Sequence, residues 1–233
     1  MNYILLGTDK RFEYLGSLLR RKNLAHACPA QIAILAPRES AFRHTKELAP
    51  GAYIFSGCDS KESLEAQGYK KIVPSSTYIR KNSHATAEGA LCLAISETED
   101  ILQNKQVLLL GFGALGKEVA DLFSCLEMKI TVCSRDDEEL GIAKFSGFST
   151  IQLSLLKNLS YPVIINTIPA AVLNPFLLNT ASSNSILIEL ASIPCCNPED
   201  APFYIVPAKG LPGRFSPSYS ARCIYEELLP YLS

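Results

Sequence analysis

The chain has 233 residues, of which 48% are hydrophobic and 19% charged, a composition that can fill a normal core and differs from that of disordered chains. No apolar run is long enough to cross a bilayer, and the N-terminus lacks the features of a secretory signal, so we expect a cytoplasmic protein without membrane contact. The net charge of −1 argues against nucleic-acid binding. Residues 1–82 carry 13 Lys and Arg against 7 Asp and Glu, a surplus that could attract a small anionic substrate, although solvated surface charge is the simpler explanation.

The chain contains eight cysteines, but their spacing fits neither a metal site nor a disulfide framework. Six are scattered, and no Cys-x-x-Cys pair occurs in the sequence. The adjacent pair Cys195-Cys196 is the one notable spacing. We interpret it as two loop thiols in a reducing compartment rather than as a redox centre.

Residues 1–82 are predicted to form a small N-terminal α/β domain. Short apolar runs predict strands over 3–6, 31–36, 52–55 and 71–73, and the spacing of Phe12, Leu15 and Leu18 predicts a helix over 10–22. Strands that alternate with helical stretches favour a parallel sheet.

A second unit follows a long predicted helix. Ala87, Leu91 and Leu102 recur at helical spacing over about 84–103, and Ser83 could cap this helix. The nearly pure apolar run 106–110 suits the centre of a parallel sheet, and further strands are predicted over 129–133, 163–166, 186–190 and 204–206. The last helix is expected over 217–229, with Pro217 at its first position.

The most informative motif is the glycine loop Gly111-Phe112-Gly113-Ala114-Leu115-Gly116, which lies between a predicted strand and a predicted helix. In a dinucleotide site the first glycine allows the tight turn, the second lets the pyrophosphate approach, and the third lets the helix pack closely on the sheet. The N-terminal amides of that helix favour negative phosphates. We therefore predict an NAD(P)-binding Rossmann domain.

The predicted fold class is α/β, with two domains: a Rossmann-type doubly wound parallel sheet and a smaller N-terminal α/β domain, joined by helices. The predicted divisions are an N-terminal domain over 1–82, a connecting helix over 83–104, the Rossmann domain over 105–213, and a C-terminal helix over 214–233. The C-terminal helix is expected to pack back on the N-terminal domain.

The end of the second strand of this domain favours NADP over NAD. An NAD enzyme usually places an acid there to bind the ribose 2′-hydroxyl, but this strand ends Cys133-Ser134-Arg135. Ser134 could hydrogen-bond a 2′-phosphate and Arg135 could neutralise it. NAD stays the alternative, since Asp136 and Asp137 follow directly.

Two later strand ends supply further candidate cofactor contacts. The carboxyl ends of strands line the crevice of a doubly wound sheet, so the nicotinamide half is expected beside Asn166-Thr167-Ile168-Pro169. Leu190 and Ala191 end the next strand on the same edge. An ordinary strand-to-loop junction is the alternative interpretation for both segments.

Four segments in chain order resemble one family, the A subunit of dipicolinate synthase, an oxidoreductase of endospore-forming bacteria. They are the segment Asn82-Ser83-His84-Ala85-Thr86-Ala87-Glu88-Gly89, the glycine loop, the strand ends Ile165-Asn166-Thr167-Ile168-Pro169 and Glu189-Leu190-Ala191-Ser192, and the segment Gly210-Leu211-Pro212-Gly213 with Pro217 after it. The resemblance covers roughly residues 80–230.

This resemblance implies an architecture like that of the 2-hydroxyacid dehydrogenases and hydride transfer from a dihydrodipicolinate-type dicarboxylate to NADP during sporulation. It also implies a flavoprotein-like B subunit as partner, and a homo-oligomer is expected. The chain departs from the family pattern in three ways. Ile193 and Ser218 stand where the family has basic residues, and the N-terminal domain is shorter.

Candidate catalytic residues lie at the start of the long predicted helix. Glu88 is the candidate base, and His84, one turn before it, is the other candidate, although a solvent-exposed helix residue is the simpler interpretation of His84. Asn82 and Thr86 are candidate hydrogen-bond donors to the substrate. Further candidate substrate contacts are Lys209 and Arg214, which flank 210–213 and could pair with a dicarboxylate.

The departures at Ile193 and Ser218 leave an alternative function open. The chain could be a divergent NAD(P)-binding protein with a regulatory role, or it could act on a different small carboxylate. No Ser-His-Asp arrangement, metal-ligand cluster or Gly-Lys-Thr motif supports a hydrolase or a kinase.

Overall fold

Two parallel β-sheets organise the chain, each within its own compact unit. The computed structural model describes residues 1–232. One unit comprises residues 1–82 together with the segment from Pro212 onward, and the other comprises residues 83–211.

The strands alternate with helices along most of the chain. In chain order the strands are β1 (Asn2–Leu6), β2 (Ala25–His26), β3 (Ala30–Leu35), β4 (Leu48–Phe55), β5 (Lys70–Lys71), β6 (Gln106–Leu110), β7 (Lys129–Ser134), β8 (Ser149–Gln152), β9 (Val163–Asn166), β10 (Ile186–Glu189) and β11 (Tyr204–Pro207). The helices are α1 (Arg11–Arg21), α2 (Lys61–Glu65), α3 (Ser76–Glu97), α4 (Ala114–Ser124), α5 (Asp137–Phe145), α6 (Pro175–Leu178), α7 (Leu211–Phe215) and α8 (Pro217–Leu228).

The first unit is built on a five-stranded parallel sheet in the order β2-β1-β3-β4-β5. Successive side chains of a strand point to opposite faces, so Ile32 and Ile34 of β3 belong to one apolar cluster and Ala33 to another. Helices α1 and α8 pack against each other and contribute Leu15 and Ile224 to the first of these clusters.

The second unit contains a six-stranded parallel sheet in the order β11-β10-β9-β6-β7-β8. Its central strand β6 is buried on both faces. Val107 and Leu109 pack into a cluster with α3 and α4, whereas Leu108 and Leu110 pack into the cluster on the other face. Burial on both faces explains why this strand is a continuous apolar run rather than an alternating one.

The position of the long helix was predicted incorrectly. The prediction placed it over about 84–103 with Ser83 as its cap, but α3 begins at Ser76 and ends at Glu97, and Ser83 lies buried inside it. Ser75 caps the true start, where its Oγ accepts a hydrogen bond from the Tyr78 N–H.

Two contacts far apart in the sequence explain this error. Glu227 of α8 accepts hydrogen bonds from the Ser75 N–H and Oγ–H, and this holds the helix start in place. At the other end, Glu99 takes a left-handed conformation with a φ of 50°, so the apolar spacing continues beyond the helix into a turn.

Within residues 1–232, none of the helices combines the length and the apolar character that a membrane span requires.

His44 of the first unit lies between two carboxylates in the segment after β3. Its Nδ1 is 2.8 Å from Oε2 of Glu47, and its Nε2 is 3.0 Å from Oε1 of Glu39. Desolvation lowers the pKa of His44, but the hydrogen bonds to Glu39 and Glu47 outweigh it, and the net pKa is raised. The imidazolium form therefore stabilises the fold.

This arrangement predicts a pH-dependent contribution of His44 to stability. A raised pKa in the folded state means that the stabilisation is complete below the unfolded pKa of about 6.5 and is lost as the pH rises through the folded pKa. We expect His44→Gln to lower the free energy of unfolding more at acidic than at alkaline pH, as measured by denaturant titration. A destabilisation that grows with pH would contradict the assignment.

Candidate functional site

The glycine loop begins where β6 ends, and its first residue needs to be glycine for two reasons. Gly111 has a φ of 89°, which side chains disfavour. A Cβ at this position would also lie 2.6 Å from Oγ1 of Thr167 and 2.9 Å from Cγ1 of Ile168. Thr167 itself is fixed by a 2.8 Å hydrogen bond from its Oγ1 to the Leu110 carbonyl oxygen. The loop and the end of β9 therefore pack directly on each other.

The close packing of α4 on β6 depends on Gly116. A Cβ here would overlap the carbonyl oxygen of Gly111 and lie 3.0 Å from its carbonyl carbon. Gly113 occupies the N-cap position of α4 and offers no side chain to cap it. The first N–H groups of a helix lack partners within the helix, so those of α4 are available to a ligand at this end.

A cavity of about 350 Å³ lies at this helix end. Four segments form it: the glycine loop with the start of α4, the end of β7, the first turn of α5 and the end of β9. Its lining residues are Gly111, Gly113, Ala114, Leu115, Gly116, Ser134, Arg135, Asp136, Glu139, Thr167, Ile168 and Pro169. The structure thus brings together ten of the fourteen predicted cofactor residues and adds Asp136 and Glu139.

The other four predicted cofactor residues do not line this cavity. The Phe112 side chain is buried, with its ring centroid 6.0 Å from that of Phe148. Asn166 is fully buried at the end of β9. Leu190 and Ala191 follow β10, where Leu190 is half-buried and Ala191 is buried.

Asn166 holds the loop behind the cavity in shape. Its Nδ2 donates to the Ile168 carbonyl oxygen at 3.0 Å and to Oε1 of Glu189 at 2.8 Å, and its Oδ1 accepts from the Ile168 N–H. All the polar atoms of its side chain are thereby used within the fold. Asn166 therefore positions Ile168 instead of offering a free group to a ligand.

The buried carboxylate of Glu189 organises the loop that carries the two adjacent cysteines. It accepts hydrogen bonds from Asn166, from the Ala191 N–H at 3.0 Å and from the Cys195 N–H at 2.9 Å. Cys195 and Cys196 are both buried free thiols. A hydrogen bond with Cys196, together with burial and the Glu189 carboxylate, raises the pKa of Cys195 and keeps it protonated.

Sequence reasoning missed Glu139, the residue that links the glycine loop to the end of β7. Its Oε2 accepts a hydrogen bond from the Phe112 N–H at 3.1 Å and another from the Ser134 hydroxyl at 2.6 Å. Helix α5, which carries Glu139, was not predicted. The acidic run that starts at Asp136, a residue that caps α5 through its side chain, was the available signal.

The candidate catalytic residues His84 and Glu88 lie on α3, outside the cavity lining. Nδ1 of His84 is 2.9 Å from Oε2 of Glu118 on α4, and its Nε2 is 3.7 Å from Oε1 of Glu88. About half of each of the two side chains on α3 is exposed. The imidazole thus lies between two carboxylates, an arrangement that could move a proton at the surface.

The candidate substrate residues are distributed over several elements. Asn82 and Thr86 lie one turn apart on α3, and both are half-buried. Lys209 is exposed between β11 and α7. Arg214 is exposed on α7, with its guanidinium 4.8 Å from the ring centroid of Phe215.

Both the sequence and the fold of this chain are similar to those of known proteins. The sequence is 28% identical to the A subunit of dipicolinate synthase from Bacillus subtilis (strain 168) over 191 residues, which are 77% of this chain and 64% of that protein. The chain thus spans less than two thirds of the length of this relative. No family model matches the sequence.

The predicted resemblance is confirmed. The crystal structure of the dipicolinate synthase A subunit from Bacillus halodurans matches all of this chain and 97% of its own, with a TM-score of 0.83 at 20% identity. Salmonella D-lactate dehydrogenase matches all of this chain and 96% of its own, with a TM-score of 0.70 at 11% identity. These structures also confirm the predicted two-domain, Rossmann-type α/β fold of the dehydrogenases.

The overlap at Gly116 predicts the cost of adding one methyl group there. Since the obstacle is the Gly111 backbone, we expect Gly116→Ala to lower the free energy of unfolding by about 2 kcal/mol in a denaturant titration.

Gly141→Ala is the matched control. Gly141 lies exposed in α5, a Cβ there would meet nothing within 4 Å, and this variant should raise stability by about 1 kcal/mol. Equal effects of the two substitutions would show that the close approach of α4 to β6 is not the constraint.

Proposed function

We propose that the chain is a nicotinamide-dependent oxidoreductase of the same type as the A subunit of dipicolinate synthase. The observation that carries this proposal is the cavity at the N-terminus of α4, which combines a glycine loop with the carboxyl ends of three parallel strands. The likeness to the protein of Bacillus subtilis and to dehydrogenase structures supports the same conclusion.

The residues of this cavity fit a dinucleotide. The uncapped amides of Ala114 and Leu115 suit the pyrophosphate, and the missing side chain at Gly113 leaves room for it to approach. Thr167, Ile168 and Pro169 would face the nicotinamide half. When bound, the nicotinamide supplies the acceptor for a hydride from the substrate.

The proposed substrate is a dihydrodipicolinate-type dicarboxylate, oxidised to dipicolinic acid during sporulation in the cytoplasm. Glu88 is the proposed base for the proton that leaves as the ring becomes aromatic, and His84 would hold Glu88 and relay the proton. The proposed substrate contacts are Asn82, Thr86, Lys209 and Arg214, of which the last two would neutralise the carboxylates. The proposed partners are a flavoprotein-like B subunit and a second copy of this chain.

The cofactor is proposed to be a nicotinamide dinucleotide, and its two forms differ at the 2′ position of the adenosine ribose. Considered by their side chains alone, Ser134 and Arg135 at the end of β7 favour NADP, and both residues line the cavity. The pyrophosphate is common to the two forms, so the glycine loop does not distinguish them.

A second candidate function is a regulatory NAD(P)-binding protein, or an enzyme for another small carboxylate. Ile193 and Ser218 favour this second candidate, because they stand where the family that the sequence resembles has basic residues. Neither side chain is fully buried. A substrate carboxylate would find no cation at either position.

Turnover separates these functions. The purified chain is combined with a flavoprotein-like B subunit and a dihydrodipicolinate-type substrate, and formation of the reduced nicotinamide is followed by its absorbance. Glu88→Gln should lower turnover about 100-fold, as expected for loss of a general base, with dinucleotide affinity unchanged.

Glu97→Gln, at the last residue of the same helix, is the control and should keep full activity. Binding of the dinucleotide without turnover would contradict the enzyme and favour the regulatory role. Failure to bind either dinucleotide would contradict both.

A further inference from the structure

We propose that Glu139 makes this chain selective for NAD(H) over NADP(H), by placing a carboxylate within hydrogen-bond reach of the ribose 2′-oxygen of the cofactor. The inference deepens the proposed function, since it rests on dinucleotide binding in the glycine-loop cavity. It also reverses the choice of NADP that Ser134 and Arg135 suggest when the sequence is considered alone.

The Glu139 carboxylate lies beside the end of β7, where Ser134 donates a hydrogen bond to it. In a Rossmann domain, an acid at the end of the second strand binds the ribose 2′-hydroxyl. Here β7 ends at Ser134 without an acid, but Glu139 reaches the same place from the first turn of α5. Its Oε2 bonds both the strand end, at Ser134, and the glycine loop, at the Phe112 N–H.

The other carboxylate oxygen of Glu139 faces the glycine loop. Oε1 of Glu139 accepts no hydrogen bond from the described part of the chain, and it would lie 3.7 Å from a Cβ at Gly113. It is therefore an acceptor beside the glycine loop, in a residue that lines the cavity. A ribose hydroxyl can donate to it, whereas a phosphate would be repelled.

The Ser134 hydroxyl has no proton left for a phosphate. A hydroxyl has a single proton to donate, and Ser134 donates it to Glu139 at 2.6 Å. Its oxygen accepts from the Asp136 N–H at 3.1 Å. Ser134 is thus engaged within the fold, so the sequence-based role of its hydroxyl is not available.

Arg135 lies among acidic residues. Among the described residues that line the cavity, this exposed guanidinium is the one cation, whereas Asp136 and Glu139 are both acidic. The N-terminus of α5 offers a phosphate little, because the Asp136 carboxylate already accepts from the Glu138 and Glu139 N–H groups. The local charge therefore opposes a 2′-phosphate.

Fluorescence titration of the intact chain with NADH and with NADPH tests this inference without any turnover. We expect the unmodified chain to bind NADH at least about tenfold more tightly, the value of one hydrogen bond to a charged group. Glu139→Gln removes the charge but keeps an acceptor for the Phe112 N–H, and it should reduce this preference about tenfold. Thermal unfolding of each variant checks that the fold is intact.

Glu138→Gln is the matched control, since it removes the same charge from the neighbouring exposed position, and it should leave the preference unchanged. Equal or tighter binding of NADPH by the unmodified chain would overturn the inference without any variant. An unchanged preference in Glu139→Gln would also overturn it while leaving the proposed function in place. Binding of neither dinucleotide would overturn the proposed function, and this inference with it.

Discussion

The second unit depends on one close approach, that of α4 to the end of β6. The backbone of Gly116 packs on the Gly111 carbonyl with no room for a side chain, and Gly111 turns with a positive φ beside Thr167. These two contacts direct the first turn of α4 toward the carboxyl ends of β7 and β9. The cavity lies where these elements meet, and Ala114 and Leu115 of the uncapped first turn of α4 line it.

Features that depend on local sequence could be predicted, and the glycine loop with its flanking elements is the main case. Strand β6 is buried on both faces and is therefore a plain apolar run, and β7, β9 and β10 were placed by the same pattern. The helix α3 could not be placed, because its start is fixed by Glu227, which lies 152 residues from Ser75. Periodicity carries no information about such a contact.

The candidate site was predictable to the extent that backbone positions define it. Residues of the glycine loop and of the strand ends were expected to face a ligand. Ten of these fourteen residues line the cavity. Asn166 instead turns inward, because the buried Glu189 carboxylate needs donors and Asn166 supplies one. Chain position indicates that a residue is near the cavity, whereas its hydrogen-bond partners decide whether its polar groups are free.

Glu139 shows why cofactor choice is harder to predict than cofactor binding. Backbone amides at α4 suit the pyrophosphate, which both dinucleotides share, so the glycine motif alone indicates binding. In the proposed complex the 2′ position would be contacted by side chains from a separate segment, and there the identity of Ser134 matters less than the use of its hydroxyl. A serine hydroxyl that makes no other hydrogen bond would donate its proton to a 2′-phosphate. Ser134 instead donates to Glu139, and the carboxylate that it holds in place would repel the phosphate.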